Sequence, residues 1–257
     1  MASRLVALGD STVEGLEDPG PDGAYVGWAD RFAGRLAAER PDLLYANLAV
    51  RGQTAREVRE TQLDQALALE PDLALAVAGV NDLLRPRLDR TGLRESLHTI
   101  YRSLREHDAQ VLTFTMPDMT RVAPLAIALR PRITFLNSVI RESGAAYGVT
   151  VVDLAAEPVA GHPAMWHDDR LHANSEGHRR IAAALAEAVG LTVEDWRSTP
   201  DEPAPVGRAR IVAGELVWVG GHLAPWLWGR VRKRDFESGE SCKRPDLTPM
   251  AAPGAEA

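Results

Sequence analysis

The sequence predicts an α/β protein built on a doubly wound sheet, and three observations carry that expectation. Five short runs of almost unbroken apolar character recur between residues 4 and 152. Segments of helical length separate them, and turn formers such as Gly9-Asp10 close the runs. Runs of four to six residues without polar alternation suit parallel strands covered on both faces. Strands alternating with helices suit crossover units and a single layered sheet.

Residues 4–9 (RLVALG) form the first expected strand, and residues 27–40 the first long helix. A second strand is expected within residues 43–48. Thr54-Ala55-Arg56-Glu57 then has the capping-box pattern, a hydroxyl at the N-cap and a carboxylate three residues on, so a helix starts there. Strands at 73–77, 111–115 and 149–152 alternate with helices near 92–107, 131–146 and 174–189. In sheets of this kind ligands bind beyond the carboxyl ends of the strands. The loops expected at that crevice are residues 10–15, 50–54, 79–87, 117–130 and 154–172.

The texture changes after residue 191. Residues 1–195 are expected to form the main domain and 196–234 an extension; 235–257 read as a disordered tail, rich in charge, Pro and Ala. Within the extension, 199–205 read as a linker, 209–212 and 215–219 as a short hairpin, and 221–234 as a helix. Four of six tryptophans (Trp196, Trp218, Trp226, Trp228) and both lysines (Lys233, Lys243) lie beyond residue 195. Trp226 and Trp228, beside the basic run Arg230 to Arg234, suit either peripheral contact with an anionic membrane through 221–234 or docking onto the main domain, the favoured reading.

Composition excludes several classes. The chain has 257 residues, 45% hydrophobic, with a net charge of −7. No stretch reaches the roughly 18 apolar residues of a spanning helix. The acidic balance argues against nucleic acid as a partner. Cys242 is the single cysteine and Met1-Ala2-Ser3-Arg4 lacks a signal-peptide pattern, so a reducing, cytoplasmic location is expected.

Ser11 follows the first strand, where a hydroxyl either faces the crevice or serves a turn. Asp169-Arg170-Leu171-His172 lies before the last helix. A carboxylate three residues before a histidine can accept the imidazole Nδ1–H and leave Nε2 free to take a proton from a serine. Asp168 sits next door, and pattern alone leaves both carboxylates open; a solvated charge pair is the plainer alternative. Gly52 and Asn81 occupy two further crevice loops, where a backbone N–H and a side-chain amide can bind an oxyanion, or equally make a turn and a helix cap. His162, His167 and Asp168 are close in sequence, but a mixed polar loop explains them better than a metal site does. No metal or cofactor is expected.

Taken together, Gly9-Asp10-Ser11, Gly52, Gly79-Val80-Asn81-Asp82 and Asp169-Arg170-Leu171-His172 resemble, in order, the four blocks of the SGNH hydrolases, also called GDSL-type esterases and lipases. The resemblance covers residues 5 to about 190. It implies a flavodoxin-like three-layer α/β/α sandwich with a five-stranded parallel sheet in the order 2-1-3-4-5. It also implies Ser11 as nucleophile, His172 as base and Asp169 as its partner, with Ser11 N–H, Gly52 N–H and the Asn81 amide as oxyanion hole. Ala173 stands where the family often has proline.

The implied activity is hydrolysis of a small-molecule carboxylic ester through an acyl-enzyme. A thioesterase, a lysophospholipase or a carbohydrate acetylesterase would use the same groups. A non-catalytic flavodoxin-like binder is the alternative of another class, but it leaves His172, Asp169 and Asn81 without a task. Trp166, Arg85 and Met119 are the expected substrate contacts. Arg87, Arg121, Arg130 and Arg132 join them as a mixed cationic and apolar mouth, which a solvated arginine surface also explains.

Overall fold

Five parallel strands run where the apolar runs lie: β1 (Arg4–Gly9), β2 (Leu44–Asn47), β3 (Leu73–Val77), β4 (Gln110–Phe114) and β5 (Thr150–Val152). The computed structural model describes residues 3–21, 23–201 and 242–252. The strands lie in the order β5-β4-β3-β1-β2, with Leu5 opposite Tyr45 on one side and Leu73 on the other. This is the expected 2-1-3-4-5 order.

The helices are α1 (Ser11–Glu14), α2 (Gly27–Glu39), α3 (Ala55–Thr61), α4 (Leu63–Ala68), α5 (Val80–Leu83), α6 (Arg90–Glu106), α7 (Arg130–Tyr147) and α8 (Ser175–Ala188). Thr54 caps α3 through the capping box, its side chain accepting from Glu57 N while Glu57 accepts from Thr54 N. The strands are mainly apolar because both faces of the sheet are covered. Leu5 and Ala7 point into a core shared with Trp28, Phe32 and Leu36 of α2 and Ala182 to Ala186 of α8. Val6 and Leu8 point into a second core with Leu97 and Ile100 of α6 and Leu136 and Ile140 of α7.

Two expectations about the far end of the chain change. Residues 244–249, expected in a disordered tail, form a sixth strand, β6 (Arg244–Pro249), antiparallel to β2 with Leu44 opposite Pro249 and Tyr45 opposite Thr248. The sheet is therefore six-stranded. Pro245 and Pro249 cannot serve a central strand, but at an edge their missing N–H costs no ladder bond. Their presence hid the strand from a compositional reading. Trp196, assigned to the extension, is buried in the α2–α8 core and donates through Nε1 to Glu187. The expected hairpin, the 221–234 helix, and Trp218, Trp226 and Trp228 lie outside the described residues. Among the described residues no helix is long and apolar enough to cross a membrane.

Candidate active site

The carboxyl end of β1 delivers Ser11. Asp10 is the N-cap of α1, fully buried, and its Oδ1 accepts from Thr12 N at 3.0 Å and from Thr12 Oγ1 at 2.9 Å. That cap ends the strand at Gly9 and makes Ser11 the first helical residue. Gln62 fixes the strand end from the other side, accepting from Gly9 N and donating to Gly9 O, both at 2.8 Å.

The 154–173 loop delivers the histidine. It runs as a series of 3₁₀ turns and closes as a small antiparallel bridge between Trp166 and Ala173. Inside it, Asp169 Oδ1 accepts from Leu171 N at 2.9 Å and His172 N at 3.0 Å, and Oδ2 accepts from His172 Nδ1 at 2.7 Å. His172 Nε2 lies 2.9 Å from Ser11 Oγ. Two residues 161 positions apart thus meet, and Asp169 rather than Asp168 touches the ring. With Nδ1 donating to a carboxylate, Nε2 is the ring's acceptor and the serine hydroxyl its donor. Burial pushes the Asp169 carboxyl up. The hydrogen bond and charge of His172, with the two backbone N–H groups, outweigh that and hold its pKa at about 2.

Gly52 has φ +80°, and the side where a Cβ would stand is open space. The neighbouring Arg51 is tied to Glu14 of α1, its backbone N and its Nε each donating at 3.1 Å. Asn81, in α5, places Nδ2 3.2 Å from Asp10 Oδ2 and 3.1 Å from Gln53 O. Next to it, Asp82 accepts from Ala55 N at 2.8 Å; burial raises its pKa to about 6, and the nearby Asp10 carboxylate adds to the rise. Asp10 itself is raised by burial.

Beside this constellation lies a cavity of about 500 Å³ bordered by Thr12, Val80 and His172. Its walls are mainly apolar, from Leu83 and Met116 to Phe114, Ile181 and Trp196. The three expected contacts, Trp166, Arg85 and Met119, all line it, whereas Ser11, Gly52 and Asn81 do not. Trp166 donates Nε1 to Ala160 O at 2.8 Å, so the polar atom of its indole is already occupied. The expected cationic mouth is partly engaged: Arg130 pairs with Asp118, and Arg132 donates to the carbonyls of Leu83, Arg85 and Pro86.

The described residues gather one set of metal-ligand types, Glu17, His167 and Asp169. His167 Nε2 lies 3.3 Å from Glu17, and its Nδ1 3.7 Å from Asp169. The sequence trio of His162, His167 and Asp168 is not that set. His162 is buried elsewhere, accepting at Nδ1 from Ala164 N.

Sequence reasoning missed Gln62, Asp10 as a buried capping acid, and the Arg51–Glu14 tie. A polar residue closing a helix and an acid beside the serine were visible, but Gln62 meets Gly9 across 53 positions, Arg51 meets Glu14 across 37, and Asp10 meets Asn81 across 71.

The GDSL-like lipase/acylhydrolase family model matches residues 7–180. No curated protein sequence matches the chain. Several solved structures share the fold. LAE5, an alpha/beta hydrolase enzyme from the metagenome of Lake Arreo, Spain, is 22% identical with a TM-score of 0.61, over 73% of this chain and 95% of its own. A variant of Axe2, an acetyl xylan esterase from Geobacillus stearothermophilus, is 20% identical with a TM-score of 0.60, over 75% and 96%. The psychrotrophic esterase EstA from Pseudoalteromonas sp. is 17% identical with a TM-score of 0.56, over 73% and 96%.

Proposed function

The chain belongs to the GDSL-like lipase/acylhydrolase family of ester-bond hydrolases, and from that premise we propose that it cleaves carboxylic esters through an acyl-enzyme on Ser11. The observation that carries the reading is the chain of hydrogen bonds from Asp169 to His172 to Ser11, at 2.7 and 2.9 Å.

Ser11 Oγ attacks the substrate carbonyl carbon while His172 Nε2 takes its proton. Asp169, ionised at any pH well above 2, stabilises the imidazolium that forms and keeps the ring turned toward the serine. The developing oxyanion is bound by the Ser11 and Gly52 N–H groups and by the Asn81 amide. His172 returns the proton to the departing alcohol. Water then attacks the acyl carbon as His172 Nε2 takes its proton, and His172 returns that proton to Ser11 Oγ as the acyl C–O bond breaks and the acid leaves.

The cavity supports an acyl group longer than acetyl, because an apolar space of about 500 Å³ far exceeds what a single methyl fills. Each methylene buried contributes ~0.8 kcal/mol, so kcat/KM is expected to rise about fourfold per carbon until the space is filled. Thioesters remain substrates the same apparatus can process.

The test is a series of p-nitrophenyl esters of increasing acyl length, run on the unmodified chain and on Ser11→Ala. The unmodified chain is expected to give a burst of nitrophenol and a rising length profile; Ser11→Ala gives no burst. A burst that survives the substitution removes Ser11 from the nucleophile's role. A preference that falls from acetyl onward removes the cavity from acyl binding.

A further inference from the structure

Lys243 returns from beyond the family-matched region to the back of α1. Its ammonium donates to Glu14 O at 2.6 Å, Val26 O at 2.8 Å and Tyr25 O at 3.0 Å, and lies 3.0 Å from Asp30 Oδ2. Glu14 is the last residue of α1, whose first residue is Ser11. The carbonyls at a helix C-terminus lack intrahelical partners and carry partial negative charge, so a cation there is favourable.

A second route leads from the same ammonium back to the same helix. Asp30 accepts from Tyr45 Oη at 2.8 Å, Tyr45 Oη accepts from Asn47 Nδ2 at 3.0 Å, and Asn47 Nδ2 also donates to Val13 O at 3.1 Å. Consecutive carbonyls of α1, those of Val13 and Glu14, are therefore held by one connected network. The Glu14 side chain is meanwhile held by Arg51, next to Gly52. Strand β6 begins at the next residue and clips to β2, which fixes where Lys243 can stand.

Residue choice supports the same role. Arginine supplies 27 of the 29 basic side chains, and Lys243 is one of two exceptions. Three carbonyls converging on one point suit a compact ammonium with three rotatable donors, and a planar guanidinium does not fit that geometry.

We propose that Lys243 and β6 act as a C-terminal strap that positions the nucleophile, Lys243 holding the base of α1 so that Ser11 Oγ stays aligned with His172 and with the Gly52 N–H. Lys243 is a positioning residue, since it acts through α1. The inference rests on the reading of Ser11 as nucleophile. Misplacement of a reacting group by about 1 Å costs on the order of 10²-fold, so a loss of that order is the scale to expect.

The test compares the full chain with Lys243→Met, which keeps the stem and removes the charge, and with Lys243→Ala. In Lys243→Met, kcat per Ser11 titrated by a fluorophosphonate is expected to fall about 10- to 100-fold with KM unchanged. Adding propylammonium to Lys243→Ala is expected to restore part of that kcat, and Lys243→Arg to restore little. A role in stability alone would lower the titratable fraction and leave kcat per titrated site as it was, which overturns the proposal. So does wild-type kcat in Lys243→Met. Absence of an acyl-enzyme burst in the unmodified chain overturns the reading of Ser11 itself, whereas a burst untouched by Lys243→Met overturns only the strap.

Discussion

Asn81 points its amide at Asp10 Oδ2 and Gln53 O, so binding an oxyanion means sharing or exchanging one of those contacts as charge develops on the substrate. Such an interaction strengthens in the transition state more than in the ground state, and its loss appears in kcat. Asn81→Ala is expected to lower kcat by roughly 10²–10³ with little change in KM. Steady-state kinetics normalised to fluorophosphonate titre checks it, and unchanged turnover removes Asn81 from that role. The residue types of the site were legible at this scale, because Ser11, Asp169 and His172 stand in short motifs. Two matters were not. Asp168 and Asp169 are chemically alike in sequence, and only the turn made by Asp169 with Leu171 N and His172 N brings its carboxylate to the ring. Gln62 carries no mark of its contact with Gly9, which depends on α3 and α4 packing beneath β1.

The elements owe their limits to local chemistry, and their mutual approach to small residues. Thr54 starts α3 and Asn174 starts α8, each accepting a backbone N–H, as expected of N-cap residues. The junction of α1 and α2 is decided differently. Gly15 has φ +96°, and a Cβ there would lie 2.5 Å from Gly27 Cα. Two glycines let the end of α1 press against the start of α2, beside the carbonyls that Lys243 gathers. Gly15→Ala adds backbone strain on the order of 1–3 kcal/mol, with steric overlap on top. The expected result is a lower urea midpoint together with reduced kcat; a variant as stable as the parent would show that the crossing can relax. The helices were readable as segments because their caps and apolar faces are local. β6 was not, since an edge strand containing two prolines has no pattern of its own and exists by pairing with β2.

Across the whole molecule, one buried histidine ties the layer on one face together and makes stability depend on pH. His178 Nδ1 accepts from Trp28 N at 3.0 Å, joining α8 to α2, and Nε2 donates to Leu16 O at 2.9 Å. Only the neutral ring can do both. Burial pulls its pKa down to about 4, from an ordinary value of 6.5. Between those values the unfolded chain binds a proton that the folded protein refuses, so this contribution is fully present above pH 6.5 and is lost as pH falls toward 4. Asp82 works in the opposite sense. With its pKa raised to about 6, the folded state takes up a proton first, and its contribution grows as pH falls from 6 toward 3.8. The difference between the parent and His178→Asn isolates the histidine. The parent is expected to lose more stability between pH 7 and 5, by on the order of 1–3 kcal/mol, in urea unfolding at each pH. Equal slopes in the two proteins would show that His178 is not the group responsible.

What the sequence by itself determined is the layered sheet and the residue types of the site. Apolar runs buried on both faces can be satisfied only between two helical layers, and the motif residues sit in the turns that end those runs. What the tertiary structure alone decided is everything that depends on partners distant along the chain. His172 meets Ser11 across 161 positions, the apolar cavity opens between Thr12 and Trp196, and Lys243 reaches the base of α1 across 229. Local pattern fixes which groups a chain carries. Packing fixes which of them meet, because contacts of that separation are set by how the layers close.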